Sequence, residues 1–174
     1  LDGLTPSREL IKETFYALKT PIRVMIRPKH PSFIYSKEEI NTMIEDINFC
    51  KNLGLDGVVL GCLDQNANFD MIQINKLSKA AKPLNVIIHK AIDSTSSVID
   101  SLSLISSNRN INGVLTSGGE RFAINAVEIL KKMLDLVPDS FEIISAGGIT
   151  YENFDKLHSQ IEGKYYHGKK IIKF

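Results

Sequence analysis

The sequence predicts an α/β fold of repeating strand and helix units, a (β/α) barrel of the TIM type. Three observations predict it. Six short apolar runs recur along the chain, roughly 25 to 35 residues apart. Between them, apolar residues return at three- and four-residue spacing, which is the helix period. The runs are apolar on both faces, as in a parallel sheet covered by helices, and each intervening segment is long enough for the crossover that parallel neighbours require. An open doubly wound sheet shares these features, but no GxGxxG fingerprint opens the first helix.

In chain order, LTPSRELIKETFYAL opens with a loop and a helix, with Thr5 read as the N-cap and Pro6 at the first helical position. PIRVMIRP, residues 21–28, is the first strand. Ser36 and Glu39 form a capping box, Ile40, Met43, Ile44, Ile47 and Cys50 mark one helix face, and Gly54 is a left-handed stop. DGVVLGCL (56–63) is the second strand. Asp70 caps the next helix, which carries Ile74, Leu77 and Ala81 and stops at Pro83. NVIIHKAID (85–93) is a strand, followed by a helix through Val98, Leu102 and Ile105. INGVLTS (111–117) precedes a helix marked by Phe122, Val127, Leu130 and Leu134. FEIISAGG (141–148) precedes a helix capped by Thr150 and carrying Phe154, Leu157 and Ile161, and KYYHG (164–168) is the last strand.

A chain of 174 residues that is 43% apolar suits one domain with a real core, taken as 1–174. Six strands fall short of the eight of a barrel, and no strand precedes the first helix. The expectation is a barrel lacking its first two strands, with upstream sequence missing or with exposed edges. Exposed edges pair with other chains, so a homo-oligomer is expected among its states.

A net charge of +1, with no basic stripe, argues against nucleic acid and anionic membrane as partners. Lys164, Lys169, Lys170 and Lys173 read as a solvated end. No apolar run approaches the roughly 20 residues of a membrane span, and the start has no signal-peptide pattern. Two cysteines without a CxxC pattern suit a reducing, cytoplasmic setting.

Ligands of β/α folds sit at the carboxyl ends of strands. The residues there are Arg27, His89, Lys90, Asp93, Thr116, Ser117, Gly118, Gly119, Ser145, Gly147, Gly148 and His167. Strand alternation puts Ile87, His89, Ala91 and Asp93 on one face and turns Lys90 toward a helix or solvent. Arg27, His89 and Thr116 are expected to converge at the barrel mouth. His89 reads equally as a hydrogen-bonded core histidine and as a general acid or base, with Asp93 orienting it. The glycine-rich turns SGG (117–119) and SAGG (145–148) let a ligand approach the backbone and favour an anion where a helix follows. A tight turn without a ligand is the structural alternative for either. For metals, Cys50 lies on a helix stripe and Met25 within a strand, both read as core. His30, His89, His158 and His167 show no HxH or HExxH spacing. Cys62 is the one candidate metal ligand, against a purely structural role.

The strings VMIRPKHPSFIYS, DGVVLGCLD, IIHKAID, VLTSGG, SAGGI and YYHGKK, in this order, resemble the CutC family of copper-homeostasis proteins over almost the whole chain. The resemblance implies a TIM barrel, a cytoplasmic location, an association with copper handling and a site at the barrel mouth. It carries over Arg27, His89, Asp93, Thr116, Ser117, Gly118, Gly119, Gly147, Gly148 and His167. The chain departs from the family pattern in its two absent early strands, which bear an acidic residue and cysteines. It departs again at Lys29 and Lys90, where arginines are usual, at His30, Pro31 and Ile149, where glycines are usual, and after Gly168, where a serine is usual. The expected function is a CutC-like role in copper homeostasis, with copper ion as ligand or cofactor. The alternatives are a β/α-barrel enzyme on a small phosphorylated or carboxylated substrate, with Arg27, His89 and Asp93 catalytic and the remaining strand-end residues holding the anion, and a non-catalytic barrel acting as a binding module.

Overall fold

A computed structural model describes residues 3–173; the ends of the expected 1–174 domain, residues 1, 2 and 174, lie outside it. The chain divides into two compact units, Leu1–Ile87 and Ile88–Phe174.

In the first unit, α1 (Arg8–Ala17), β1 (Arg23–Met25), α2 (Lys37–Leu53), β2 (Gly57–Leu60) and α3 (Met71–Ala81) lead to β3 (Asn85–Ile88), whose last residue begins the second unit. β1 and β2 run parallel, with Val24 opposite Val58. The Asn85 amide donates to Asp56 O at 3.0 Å, bringing β3 alongside β2. The capping box of α2 forms as the sequence predicts. The Glu39 amide donates to Ser36 Oγ at 3.2 Å and the Ser36 amide to Glu39 Oε2 at 2.7 Å. Gly54 closes the helix at φ 79°, where an L side chain is strained. Ile40, Met43, Ile47 and Cys50 are buried along its inner face, each apolar side chain contributing roughly 1.5–3 kcal/mol.

Helix α1 starts two residues later than its sequence predicts. Thr5 Oγ1 accepts the Arg27 amide at 2.8 Å and the Thr5 amide donates to Arg27 O at 3.0 Å, so Thr5 is bound to the end of β1. The cap passes to Ser7, whose Oγ accepts the Leu10 amide, and Pro6 falls outside the helix.

In the second unit, a 3₁₀ turn (Lys90–Ser94) leads to α4 (Val98–Ser106), β4 (Gly113–Thr116), a second 3₁₀ turn (Ala123–Asn125), α5 (Val127–Leu136), β5 (Glu142–Ser145), α6 (Phe154–Ile161) and β6 (Tyr165–Tyr166). The three strands are parallel and neighbour one another in sequence order, with Thr116 opposite Ser145 and Ser145 opposite Tyr166. Leu102, Ile105, Val114, Leu130, Met133 and Ile143 fill the core between strands and helices. Phe122 lies outside α5 and is exposed, because the chain makes its 3₁₀ turn before the helix begins. The cap of α6 is Asn153 rather than Thr150. The Thr150 amide donates to Asn153 Oδ1 at 2.8 Å, while the Thr150 carbonyl accepts the Phe154 amide.

Both units thus follow the β/α repeat of an α/β fold. Among the described residues, no helix is long and apolar enough to cross a membrane.

Candidate functional site at the strand ends of the second unit

β3 stops at Ile88 because His89 turns the chain. Its Nδ1 accepts the Ala91 amide at 3.1 Å and so caps the 3₁₀ turn. With Nδ1 an acceptor, the proton of the neutral ring sits on Nε2. The ring is 3% exposed. Residues three apart eclipse in a 3₁₀ turn, so Lys90 and Asp93 come side by side, with Lys90 Nζ donating to Asp93 Oδ2 at 2.6 Å. Lys90 therefore joins the polar cluster, although strand alternation turns it away. The alternation fails because the strand has already ended.

The Asp93 side chain is 9% exposed and heavily hydrogen-bonded. Its Oδ1 accepts Thr116 Oγ1 at 2.5 Å and the Gly119 amide at 2.9 Å. The Ser117 amide reaches both carboxylate oxygens at 3.1 Å, and Ser117 Oγ lies 3.2 Å from Oδ2. Ser117 Oγ also bonds Lys90 Nζ and the Glu120 carbonyl, and the Gly118 amide donates to Thr116 Oγ1 at 2.9 Å. Gly118 and Gly119, at φ 72° and 85°, allow the loop to wrap a carboxylate. No helix begins at this loop, since α5 starts only at Val127. The anion held by Thr116, Ser117 and Gly119 in this structure is Asp93 itself.

The second glycine turn borders a surface cleft. Gly147 and Gly148 take φ 102° and 69° and line a cleft of about 370 Å³ whose surface is mainly apolar, through residues such as Leu115, Ala146 and Ile149, with Lys90, His167, Lys169 and Lys170 around it. Among the described residues, no acidic side chain lines it. His167 is fixed by its amide, which donates to Ser145 O at 2.8 Å. Partial loss of solvent, and then the Lys169 ammonium, hold its imidazole below the ordinary histidine pKa. Ser145 is fully buried, and its Oγ has no hydrogen-bond partner among the described residues.

Arg27, Cys62 and Cys50 belong to the first unit. Arg27 Nη2 donates to Pro31 O at 3.0 Å, and its guanidinium lies 4.5 Å over the Phe33 ring. Its Nε is buried without a hydrogen-bond partner among the described residues, as is Tyr35 Oη. Burial above all, with the Cys62 thiol next, pushes the Tyr35 hydroxyl well up, against the opposing Arg27 charge. Burial, followed by Asp70, pushes the Cys62 thiol up to about 12. Burial, followed by Asp46, pushes Cys50 up to about 11. Both thiols are free. Among the described residues, no three His, Cys, Asp or Glu side chains are grouped to hold a metal. Tyr35 is a polar residue that strand-end reasoning passes over, whereas Lys90 belongs to the strand-end set but is turned away from the site by alternation. The Lys–x–x–Asp spacing of 90–93 is the signal that finds Lys90, once the strand is ended at His89.

The strand ends combine a hydrogen-bonded carboxylate, the lysine ammonium paired with it, and glycine backbone beside a cleft edged by Lys90, Lys169 and Lys170. Such a set can bind and orient an oxyanion. Comparison with known proteins places it in context. The CutC family model matches residues 1–172. A CutC family protein of Pasteurella multocida (strain Pm70) is 33% identical over 151 residues, covering 87% of this chain and 62% of the relative. A copper homeostasis protein cutC homolog of Dictyostelium discoideum is 31% identical over 193 residues, covering 95% and 69%. The chain spans about 60–64% of the length of the first curated relatives it matches. A crystal structure of a CutC protein from Streptococcus agalactiae superposes with a TM-score of 0.90 at 28% identity, covering 97% of this chain and 83% of that one. A dihydrodipicolinate synthase of Bacillus anthracis, at 14% identity and a TM-score of 0.61 over 92% of this chain and 49% of its own, shares the fold alone. The chain belongs to the CutC family.

Proposed function

We propose that the chain acts in copper homeostasis, as the names of its relatives suggest, through a site that binds a small oxyanion rather than through a thiolate copper centre. The scaffold is of the TIM-barrel type, in which ligands sit at the carboxyl ends of strands and phosphate sites favour the last strands. One observation carries this conclusion. The 370 Å³ cleft beside Gly147 and Gly148 gathers three lysines and a histidine, with no carboxylate in its wall among the described residues. Copper(I) prefers thiolate and thioether donors. Cys50 and Cys62, both buried, have thiols that stay protonated at neutral pH, which weighs against direct binding through them. Free cysteines suit the reducing cytoplasm, where we place the protein.

The test is a thermal-shift series with inorganic phosphate, phosphorylated sugars and small carboxylates, paired with a copper(I) titration. Stabilisation by phosphate-bearing compounds, lost in a Lys169→Ala/Lys170→Ala variant, supports the oxyanion site. Stoichiometric copper(I) binding that depends on Cys62, with no anion effect, overturns it.

A further inference from the structure

We propose that Asp93 is a built-in carboxylate ligand of the Ser117–Gly119 turn that fixes the Lys90 ammonium at the cleft wall, so that Lys90 is the principal cationic contact for a phosphate group and Asp93 its positioning residue. This rests on the oxyanion reading of the same cleft.

The amides of Ser117 and Gly119 and the hydroxyl of Thr116 all donate to Asp93. The first glycine turn thus carries its anion in the sequence, and an external anion is directed to the second. Asp93 also sets the geometry of Lys90. A lysine ammonium has three donors. Asp93 Oδ2 and Ser117 Oγ take two of them, and the third is left for a ligand oxygen in the cleft that Lys90 lines. A lysine held in place before binding loses less rotamer freedom when the ligand arrives. The Asp93 charge is spread over two backbone amides, the Thr116 hydroxyl and the ammonium, so it opposes an incoming anion less than a bare carboxylate would. Lys169 and Lys170 supply further positive charge and His167 a ring nitrogen for hydrogen bonding, which matches a phosphate dianion better than a monocarboxylate.

The test is calorimetric titration of inorganic phosphate into the whole chain as wild type and as Lys90→Met, Asp93→Asn, the double variant and Lys90→Arg, each checked for folding by circular dichroism. Charge alone and positioning predict opposite signs for Asp93→Asn. Removing a carboxylate beside an anion site tightens binding if only charge counts, and weakens it if Lys90 loses its anchor. The expected result is a loss of about tenfold for Lys90→Met, as for one charge-assisted hydrogen bond, and of about threefold or more for Asp93→Asn. The double variant should be no weaker than Lys90→Met, and Lys90→Arg should retain most of the affinity. Binding by Asp93→Asn that is equal to or tighter than wild type overturns the proposal. Should Asp93→Asn fail to fold, Ser117→Ala removes the second anchor with the Asp93 charge intact, and unchanged affinity there overturns it equally. If Lys169→Ala/Lys170→Ala weakens phosphate binding while Lys90→Met does not, the cleft stands and this proposal falls. If wild type binds no phosphate, this proposal falls, and the oxyanion reading falls with it when small carboxylates fail to bind as well.

Discussion

Asp93 accepts the Gly119 amide at 2.9 Å. A carboxylate from the turn after one strand thereby fills the glycine loop after the next. This contact explains why the Thr–Ser–Gly–Gly segment ends a buried strand with small polar groups. They are the donors that a buried carboxylate requires.

Thr116→Val should destabilise the protein by about 1–3 kcal/mol, since it leaves both Asp93 Oδ1 and the Gly118 amide short of a partner at a nearly buried position. Thr116→Ser should recover most of the loss. Urea unfolding of the two variants checks this, and equal stability of both with wild type contradicts it.

Gly118→Ala and Gly54→Ala should separate two costs of adding a methyl group. Both positions have left-handed backbone, which costs an alanine about 1–2 kcal/mol. At Gly54 the new Cβ meets nothing within 4 Å. At Gly118 it would lie 2.6 Å from Ala126 Cβ and 3.3 Å from Leu130 Cγ. Gly118→Ala should therefore lower the melting temperature clearly more than Gly54→Ala, as differential scanning calorimetry would show.

The lowered pKa of His167 gives a pH dependence of definite sign. As pH falls below the ordinary histidine value, about 6.5, the unfolded chain takes up this proton before the folded one does. Stability contributed by His167 staying neutral is thus present above that value and is lost as pH falls through the window down to the folded pKa. His167→Asn should flatten this part of the curve. Denaturation midpoints at mildly acidic and neutral pH measure it, and an unchanged slope in the variant contradicts the assignment.

The cysteines should be silent toward a thiol reagent. Burial and thiols pushed up to about 11 and about 12 leave little reactive thiolate at mildly alkaline pH. Cys50 and Cys62 should react only after denaturation, both together. Rapid labelling of Cys62 in the native protein would restore it as a metal-ligand candidate.

Much of the fold was legible because its elements carry strong local signals. The Ser36–Glu39 box, the stripe from Ile40 to Cys50 and the Gly54 stop all lie where periodicity and capping chemistry put them. Boundaries were less legible where two polar residues compete for one role. Thr5 is taken by Arg27, leaving Ser7 to cap α1, and Asn153 stands at the start of α6 in place of Thr150. The strand pattern of NVIIHKAID outruns the strand, which ends at Ile88, for a different reason. Ala91 and Ile92 are buried inside a 3₁₀ turn, and their apolar character continues the strand pattern after the backbone has left it. Alternation carried past His89 turns Lys90 away from the candidate site, where the 3₁₀ turn in fact sets it beside Asp93. The internal pairing of Asp93 with the glycine loop was not legible at all, because it joins residues 26 apart through a turn geometry that spacing does not encode.

Amide chemical shifts followed by nuclear magnetic resonance during a phosphate titration test the central claim most directly. The expected result is saturable shifts at Gly147, Gly148 and His167, with Gly119 nearly unmoved because Asp93 already holds its amide. Shifts confined to Ser117 and Gly119, or no saturable shift in either turn, would contradict it.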